Sequence, residues 1–303
     1  MNISRLDLDG TGSPEGLVGK ILKALPDLPI PVPVEELARA LDITDIDVLT
    51  TDGFEGGLIT DDCKSEGTVL VNRAARRGRR RFTVGHELGH FLIPTHMPGN
   101  DGKFLCSRED MRRWSVSESS AYARKEVEAN KFAALLLLPP QKLKGFVGKF
   151  RDPDLSHIVQ VAVEFDVSKE PAARAYAQYQ QHAIAIAVVK DAMVLRVYRN
   201  TKFPKIGITD GGPVPKKSLY HYAANGGKEL TDLTQNGAEL WIESDWGKRL
   251  PTLYEQVLYQ QEGYALILLW IEAESDDEEE SDPDENRTSK ERLSARIGGR
   301  NRW

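Results

Sequence analysis

The string Phe82-Thr83-Val84-Gly85-His86-Glu87-Leu88-Gly89-His90-Phe91-Leu92 constrains this chain more than any other part of it. On a helix, two histidines four residues apart lie about one turn from each other on one face, so both imidazoles can reach a single tetrahedral metal ion. Glu87 stands beside the first histidine, where its carboxylate can take a proton from a metal-activated water. Phe82, Leu88, Phe91 and Leu92 supply apolar contacts, and Gly85 and Gly89, also four apart, let another element approach closely. The helical period runs from Arg73 through Leu92 and is stopped by Pro94. The competing reading is an ordinary amphipathic helix that happens to carry two of the chain's six histidines.

A catalytic site of this type needs a third protein ligand and an open fourth position. The downstream candidates are His96, Glu118, Glu126 and Glu128. His96 has the spacing of the pattern HExxHxxGxxH, but Ile93 replaces its glycine and Pro94 follows, so the turn that would swing a third histidine onto the metal is hard to make. His96 reads instead as a loop residue. A second long helical stretch, from about Ser117 to Leu138, stops at Pro139-Pro140. Within it Glu126 and Asn130 share a face, with small Ala129 and Ala133 beside them. A carboxylate ligand with an amide one turn on suits such a centre, because metal-bound histidines donate their other ring N–H to an oxygen. Glu128 points roughly 160° away from the Asn130 side, at about 100° per residue, and is the second choice. The expected site is therefore His86, His90 and Glu126 around a metal, with Glu87 as general base.

These residues carry a family resemblance. Arg81-Phe82-Thr83-Val84-Gly85-His86-Glu87-Leu88-Gly89-His90-Phe91-Leu92, followed by Glu126, Ala129, Asn130, Phe132, Ala133, Leu136 and Pro139, resembles the ImmA/IrrE family of zinc metallopeptidase-like proteins. Glu55-Gly56-Gly57-Leu58-Ile59 and Val69-Leu70-Val71-Asn72 look like that family's strands ahead of the active helix. The resemblance covers about residues 15–180. It implies a zincin-like core, a Zn2+ ion held by His86, His90 and Glu126, and Glu87 as base. It also implies a protein substrate, typically a helix-turn-helix repressor, cleaved in a stress or mobile-element response. The alternative is a non-catalytic regulatory or toxin–antitoxin interaction protein whose zinc site is structural or vestigial.

The rest of the chain reads as α+β. Short helices at Leu17–Leu25 and about Val34–Leu41 flank a proline-rich connection, and strands at Gly57–Thr60 and Thr68–Asn72 flank a polar loop. We expect a zincin-like domain over residues 1–148 and a helix-turn-helix-like appendage over 149–181, its two helices broken near Val167-Ser168. A strand-rich domain over 182–272, sensing or partner-binding, has strands at His182–Val189, Met193–Arg199, Glu239–Glu243 and Tyr264–Glu272. Residues 273–303 are a charged tail expected to be disordered.

Charge and cysteine content bear on partners and compartment. The formal net charge is −6, but residues 272–285 hold ten acids and no base, and residues 286–303 are basic. The body is then nearly neutral, which argues against binding nucleic acid through bulk charge. The segment 155–180 is not basic either, so it reads as a packing or partner-binding module rather than a DNA reader. Arg73, Arg76, Arg77, Arg79, Arg80 and Arg81 cluster before the metal helix. They could form a solvated face, a dock for an acidic partner, or a landing site for the acidic tail. Two cysteines, Cys63 and Cys106, make no disulfide framework, so a reducing compartment is expected. Cys106 falls between the two site helices, where it is either a small buried hydrophobe or a thiolate able to reach the metal. No apolar run approaches the roughly 18 residues of a membrane span, and the N-terminus has acids and glycines where a signal peptide is apolar. The expected location is cytoplasmic, and the oligomeric state is left open.

Overall fold

The computed structural model describes residues 1–50, 54–98, 102–107, 109–112, 121–223, 229–243 and 250–272. Helix α1 (Pro14–Ala24) starts where Ser13 accepts from the Gly16 amide and Pro14 fills the first turn, and α2 (Val34–Ala40) follows the proline-rich connection. Strands β1 (Ile43–Leu49), β2 (Gly56–Thr60), β3 (Gly67–Asn72) and β4 (Lys103–Cys106) form a sheet in the order β1-β3-β2-β4. β1 lies parallel to β3, and β2 pairs antiparallel with both β3 and β4. Against this sheet packs α3 (Arg77–Leu92), and against α3 packs α4 (Ala121–Leu137). Leu17, Ile21, Leu37, Leu58, Val69, Leu88 and Phe132 sit in their common core, all buried.

The two glycines of α3 set how closely α4 can come. A Cβ on Gly85 would stand 3.3 Å from Ala133 Cβ, and one on Gly89 would stand 3.2 Å from Phe132 Cβ and 3.3 Å from Ala129 Cα. Small residues on both helices thus bring the histidine helix and the glutamate helix nearly into backbone contact.

The chain continues through α5 (Pro140–Val147), α6 (Leu155–Glu164) and α7 (Lys169–Tyr179) into a second sheet. That sheet comprises β5 (Ala183–Lys190), β6 (Met193–Arg199), β7 (Thr234–Asn236), β8 (Leu253–Tyr259) and β9 (Tyr264–Ile271), ordered β6-β5-β9-β8-β7 and antiparallel throughout. A short helix, α8 (Leu219–Ala223), lies between β6 and β7. Side-chain alternation divides its central strands. Ile184, Ile186, Val188, Leu266 and Leu268 face one cluster, while Ala185, Ala187, Val189, Ile267 and Leu269 face another. Burial on both faces accounts for the unbroken apolar runs of β5 and β9.

The packing does not break where the sequence suggests domain limits. Leu143 and Val147 of α5, Leu155, Ile158 and Val161 of α6 and Tyr176 of α7 share a single cluster with Ile184, Ile186 and Leu268 of the sheet. Residues 1–271 accordingly form one compact unit, with no gap at 148 or 181. The appendage is the cover of the sheet's inner face. The strand expected at Glu239–Glu243 is instead a single 3-10 turn at Ala238–Leu240, because Trp241 must turn into the core, where it is fully buried. The metal helix begins at Arg77 rather than Arg73: the Arg73 amide is held by the Leu49 carbonyl and Ala75 closes a turn on Asn72. The start expected for α4 near Ser117 and the charged tail at 273–303 lie outside the described residues. No helix among the described residues is long and apolar enough to cross a membrane.

Candidate metal centre

The middle of α3 places His86 and His90 one turn apart with both rings turned toward α4, and both are fully buried. Their Nε2 atoms stand 3.1 Å from each other. Glu126, projecting from the facing turn of α4, brings Oε2 to 3.3 Å from His86 Nε2 and Oε1 to 3.4 Å from His90 Nε2. Three donor atoms so arranged have the dimensions of a metal site. Ligands bonded at about 2.0–2.1 Å to a tetrahedral ion stand about 3.3 Å apart, which these separations bracket. Cys106 Sγ completes the group: one ligand atom from each of His86, His90, Cys106 and Glu126 can be chosen so that all lie within 4.8 Å of one another. Burial pushes the Glu126 carboxyl up, but hydrogen bonds and charge from His86 and His90 outweigh this and hold it below the usual carboxylate range. It is the anionic member of the set. Burial drives His90 down to about 3, leaving a neutral imidazole with a lone pair to offer.

The outer nitrogens of both histidines are occupied, as orientation of a ligand requires. His86 Nδ1 donates to Asn130 Oδ1 at 3.0 Å, while Asn130 Nδ2 donates to the Asp110 carbonyl at 2.9 Å. The amide is thereby fixed with its oxygen toward the histidine, and His86 Nε2 is left as the acceptor facing the site. His90 Nδ1 meets His96 Nδ1 at 3.0 Å, and His96 Nε2 meets Glu128 Oε2 at 2.8 Å. The relay is consistent when each ring passes its proton outward, to the Glu128 carboxylate. Burial lowers His96 to about 4, which keeps that ring neutral and able both to accept and to donate.

Glu87 is buried completely, and neither carboxylate oxygen is held by a conventional hydrogen bond among the described residues. Burial first, and then the charge of Glu126, push its carboxyl well above the ordinary range, against a smaller opposing effect from the Cys106 thiol. A buried carboxylate that meets only the weakly donating Cys106 thiol among the described residues, beside a ligand triangle, is poised to exchange a proton. Gly56, at the start of β2, makes room for it: a Cβ there would collide with Thr83 Cγ2 and reach 3.0 Å from Glu87 Oε1.

Residues 44–176 match the family Peptidase_M78, described as the IrrE N-terminal-like domain. This stretch is a Peptidase_M78 domain. Its limits enclose all of His86, Glu87, His90, Cys106, Glu126 and Asn130. No curated protein matches the chain. Among solved structures, a Mycobacterium tuberculosis transcriptional regulator is similar over 88% of this chain and 74% of its own, at 13% identity and a TM-score of 0.48.

Within the Peptidase_M78 domain the structure brings together His86, His90, Glu87 and Glu126. It sets apart the two other ligand candidates, His96 and Glu128, as a pair behind His90. Sequence reasoning placed His96 in a loop, where it is, but gave it no task. It stands six positions on from His90 across a chain reversal at Pro94, and no helical or strand period connects them. The arginine cluster is largely spent inside the molecule. Arg76 pairs with Glu262, Arg77 and Arg81 with Asp166, and Arg79 with Glu55, while Arg81 also donates to the Val32 carbonyl. These contacts tie the first turns of α3 to the elements around it. Landing of the acidic tail on the cluster concerns residues outside those described.

Proposed function

We propose that this protein is a zinc-dependent endopeptidase. The observation that carries the reading is the triangle of His86, His90 and Glu126 with the fully buried Glu87 carboxylate beside it. His86 and His90 would hold the ion through Nε2 and Glu126 through its carboxylate. When bound, zinc supplies Lewis acidity, polarising a carbonyl and lowering the pKa of a water toward about 7.

The remaining chemistry belongs to the chain. Glu87 accepts the proton of the attacking water, and its raised affinity for protons suits it to keep that proton until the amine leaves. Donation of the proton to the leaving nitrogen returns Glu87 to its starting state. Asn130 and the His96–Glu128 pair keep both imidazoles in the tautomer that presents Nε2. The substrate class we propose is a protein, a helix-turn-helix repressor, cleaved in a stress or mobile-element response inside the cytoplasm. That part rests on the family resemblance.

The test is Glu87→Gln, which keeps volume and removes the base. Metal content should stay at the level of the parent, while cleavage of a helix-turn-helix repressor substrate should fall by about 10²–10⁴-fold, the usual contribution of a positioned base. Equal cleavage by both proteins would remove Glu87 from the mechanism. A second reading, a regulatory protein with a structural metal, is favoured by one observation, the thiol at the fourth corner of the ligand group.

A further inference from the structure

β4 forms the wall of the metal centre. Among the described residues it is an edge strand, paired with β2, with Cys106 opposite Gly56 and Phe104 opposite Leu58, and the Glu55 N–H also donates to the Cys106 carbonyl. Because side chains alternate along a strand, Phe104 and Cys106 face the site together while Leu105 points outward and is 59% exposed. Phe104 lays its ring on His90, with centroids 5.0 Å apart and planes 27° from parallel. Cys106 Sγ stands 3.9 Å from His90 Nε2 and is buried. A thiolate at about 2.3 Å and an imidazole nitrogen at about 2.0–2.1 Å on one tetrahedral ion stand about 3.6 Å apart. Against His90, Sγ is thus within a few tenths of an ångström of a ligand's separation, while the four donor atoms together span up to 4.8 Å. The other donors point at the same spot: His86, His90 and Glu126 converge there, and Glu87 lies buried beside it, in hydrogen-bond contact with the Cys106 thiol. The side chains of His86, Glu87, His90, Cys106 and Glu126 are each at most 3% exposed.

We propose that Cys106 is the fourth ligand of this centre and holds it closed, so that the resting protein is a latent peptidase. The proposal rests on the metal reading above and adds its regulation. Ligation replaces the S–H bond by a sulfur–metal bond, and the proton leaves to water. The position a substrate's attacking water needs is then taken by sulfur. It becomes free when β4 carries Cys106 away, a movement that costs the hydrogen bonds of a four-residue edge strand to β2 and to the Glu55 amide.

The experiment uses the full chain in a Cys63→Ser background, which removes the exposed thiol, loaded with Co2+ in place of zinc. Visible d–d bands report an ion in the centre, and a near-ultraviolet thiolate-to-cobalt charge-transfer band reports sulfur on it. The parent should show both. Cys106→Ser and Cys106→Ala should keep the visible bands, lose the near-ultraviolet band, and bind Co2+ roughly tenfold or more weakly. The probe for an open position is acetohydroxamate. It should shift the visible bands of both variants at concentrations at least tenfold below those the parent needs. Visible bands without the charge-transfer band in the parent would overturn the role of Cys106 and leave the metal reading standing. A charge-transfer band with equal acetohydroxamate affinity in parent and variants would overturn closure. Absence of visible bands in all three proteins would overturn the metal reading and this proposal with it.

Discussion

Asn130 offers the sharpest test of how the site is built, because it touches no metal and yet should govern metal binding. Its carbonyl accepts from His86 Nδ1 at 3.0 Å and its amide donates to the Asp110 carbonyl at 2.9 Å, both fully inside the protein. Asn130→Ala removes both. The buried His86 N–H loses its acceptor, at a cost of about 1–3 kcal/mol, and the ring is free to turn or to move its proton to Nε2, which would block ligation. Loss of such an orienting partner typically weakens metal binding 10–100-fold, or about 1.4–2.8 kcal/mol, the same range reached from the hydrogen bond alone. Competition against a chelator of known affinity, monitored at a temperature where circular dichroism shows the variant folded, gives the constant directly. Asn130→Asp is the control: it keeps the acceptor for His86 but sets a second oxygen against the Asp110 carbonyl, so it should lose folding stability and yet bind metal far better than Asn130→Ala. A folded Asn130→Ala protein with the parent's dissociation constant would refute the argument that the amide sets the tautomer.

Three further outcomes follow from contacts elsewhere. Gly89→Ala should lower the thermal midpoint by an amount equivalent to about 1–3 kcal/mol, since its Cβ would meet Phe132 and Ala129 at 3.1–3.3 Å; an unchanged midpoint would mean that the helices can separate freely. Acid should destabilise the metal-free protein. An unfolded histidine takes its proton below about 6.5, whereas folded His90 and His96 take theirs only near 3 and 4, so the unfolded state binds more protons between those limits. Stability should fall as pH drops through that window, by up to about 1.4 kcal/mol per pH unit for each histidine, with folded Glu87, raised well above the ordinary range, offsetting one of the two until unfolded glutamates protonate; urea midpoints that do not fall between about pH 5.5 and 4 would contradict it. Arg81→Met should cost about 1–3 kcal/mol, because Arg81 joins α3 to the Val32 carbonyl and to Asp166. Chemical denaturation would detect the loss, and a neutral result would make these contacts dispensable.

The site was legible where its residues obey a period, and hidden where they do not. His86, Glu87 and His90 follow the helical repeat, and so do Glu126 and Asn130. Gly85 and Gly89 likewise announce the close packing that Ala129 and Ala133 complete. The His96–Glu128 pair depends on a loop reversal and a neighbouring helix meeting in space, which no local pattern encodes. β1 shows the same limit in the fold. Its residues ITDIDVL carry polar Thr44, Asp45 and Asp47, mostly exposed, and it becomes a strand because β3 offers a parallel ladder beside it. β8 was missed for a related reason, since Glu255 and Gln256 interrupt its apolar run. In the structure Glu255 is buried but held by Ser218 and Asn236, and Gln256 donates to Asp154.

The single apolar cluster shared by α5, α6, α7 and the second sheet separates two units that are usually taken as one. The stretch that matches the family ends at residue 176, inside α7, three residues before that helix ends at Tyr179. Tyr176 itself is fully buried, in the same cluster as Ile184 and Leu268 beyond the limit. What is inherited as a recognisable sequence therefore stops halfway through what must fold together. A chain cut at the end of that match would leave the apolar side of α6 and α7, which packs on Ile184, Ile186 and Leu268, open to water.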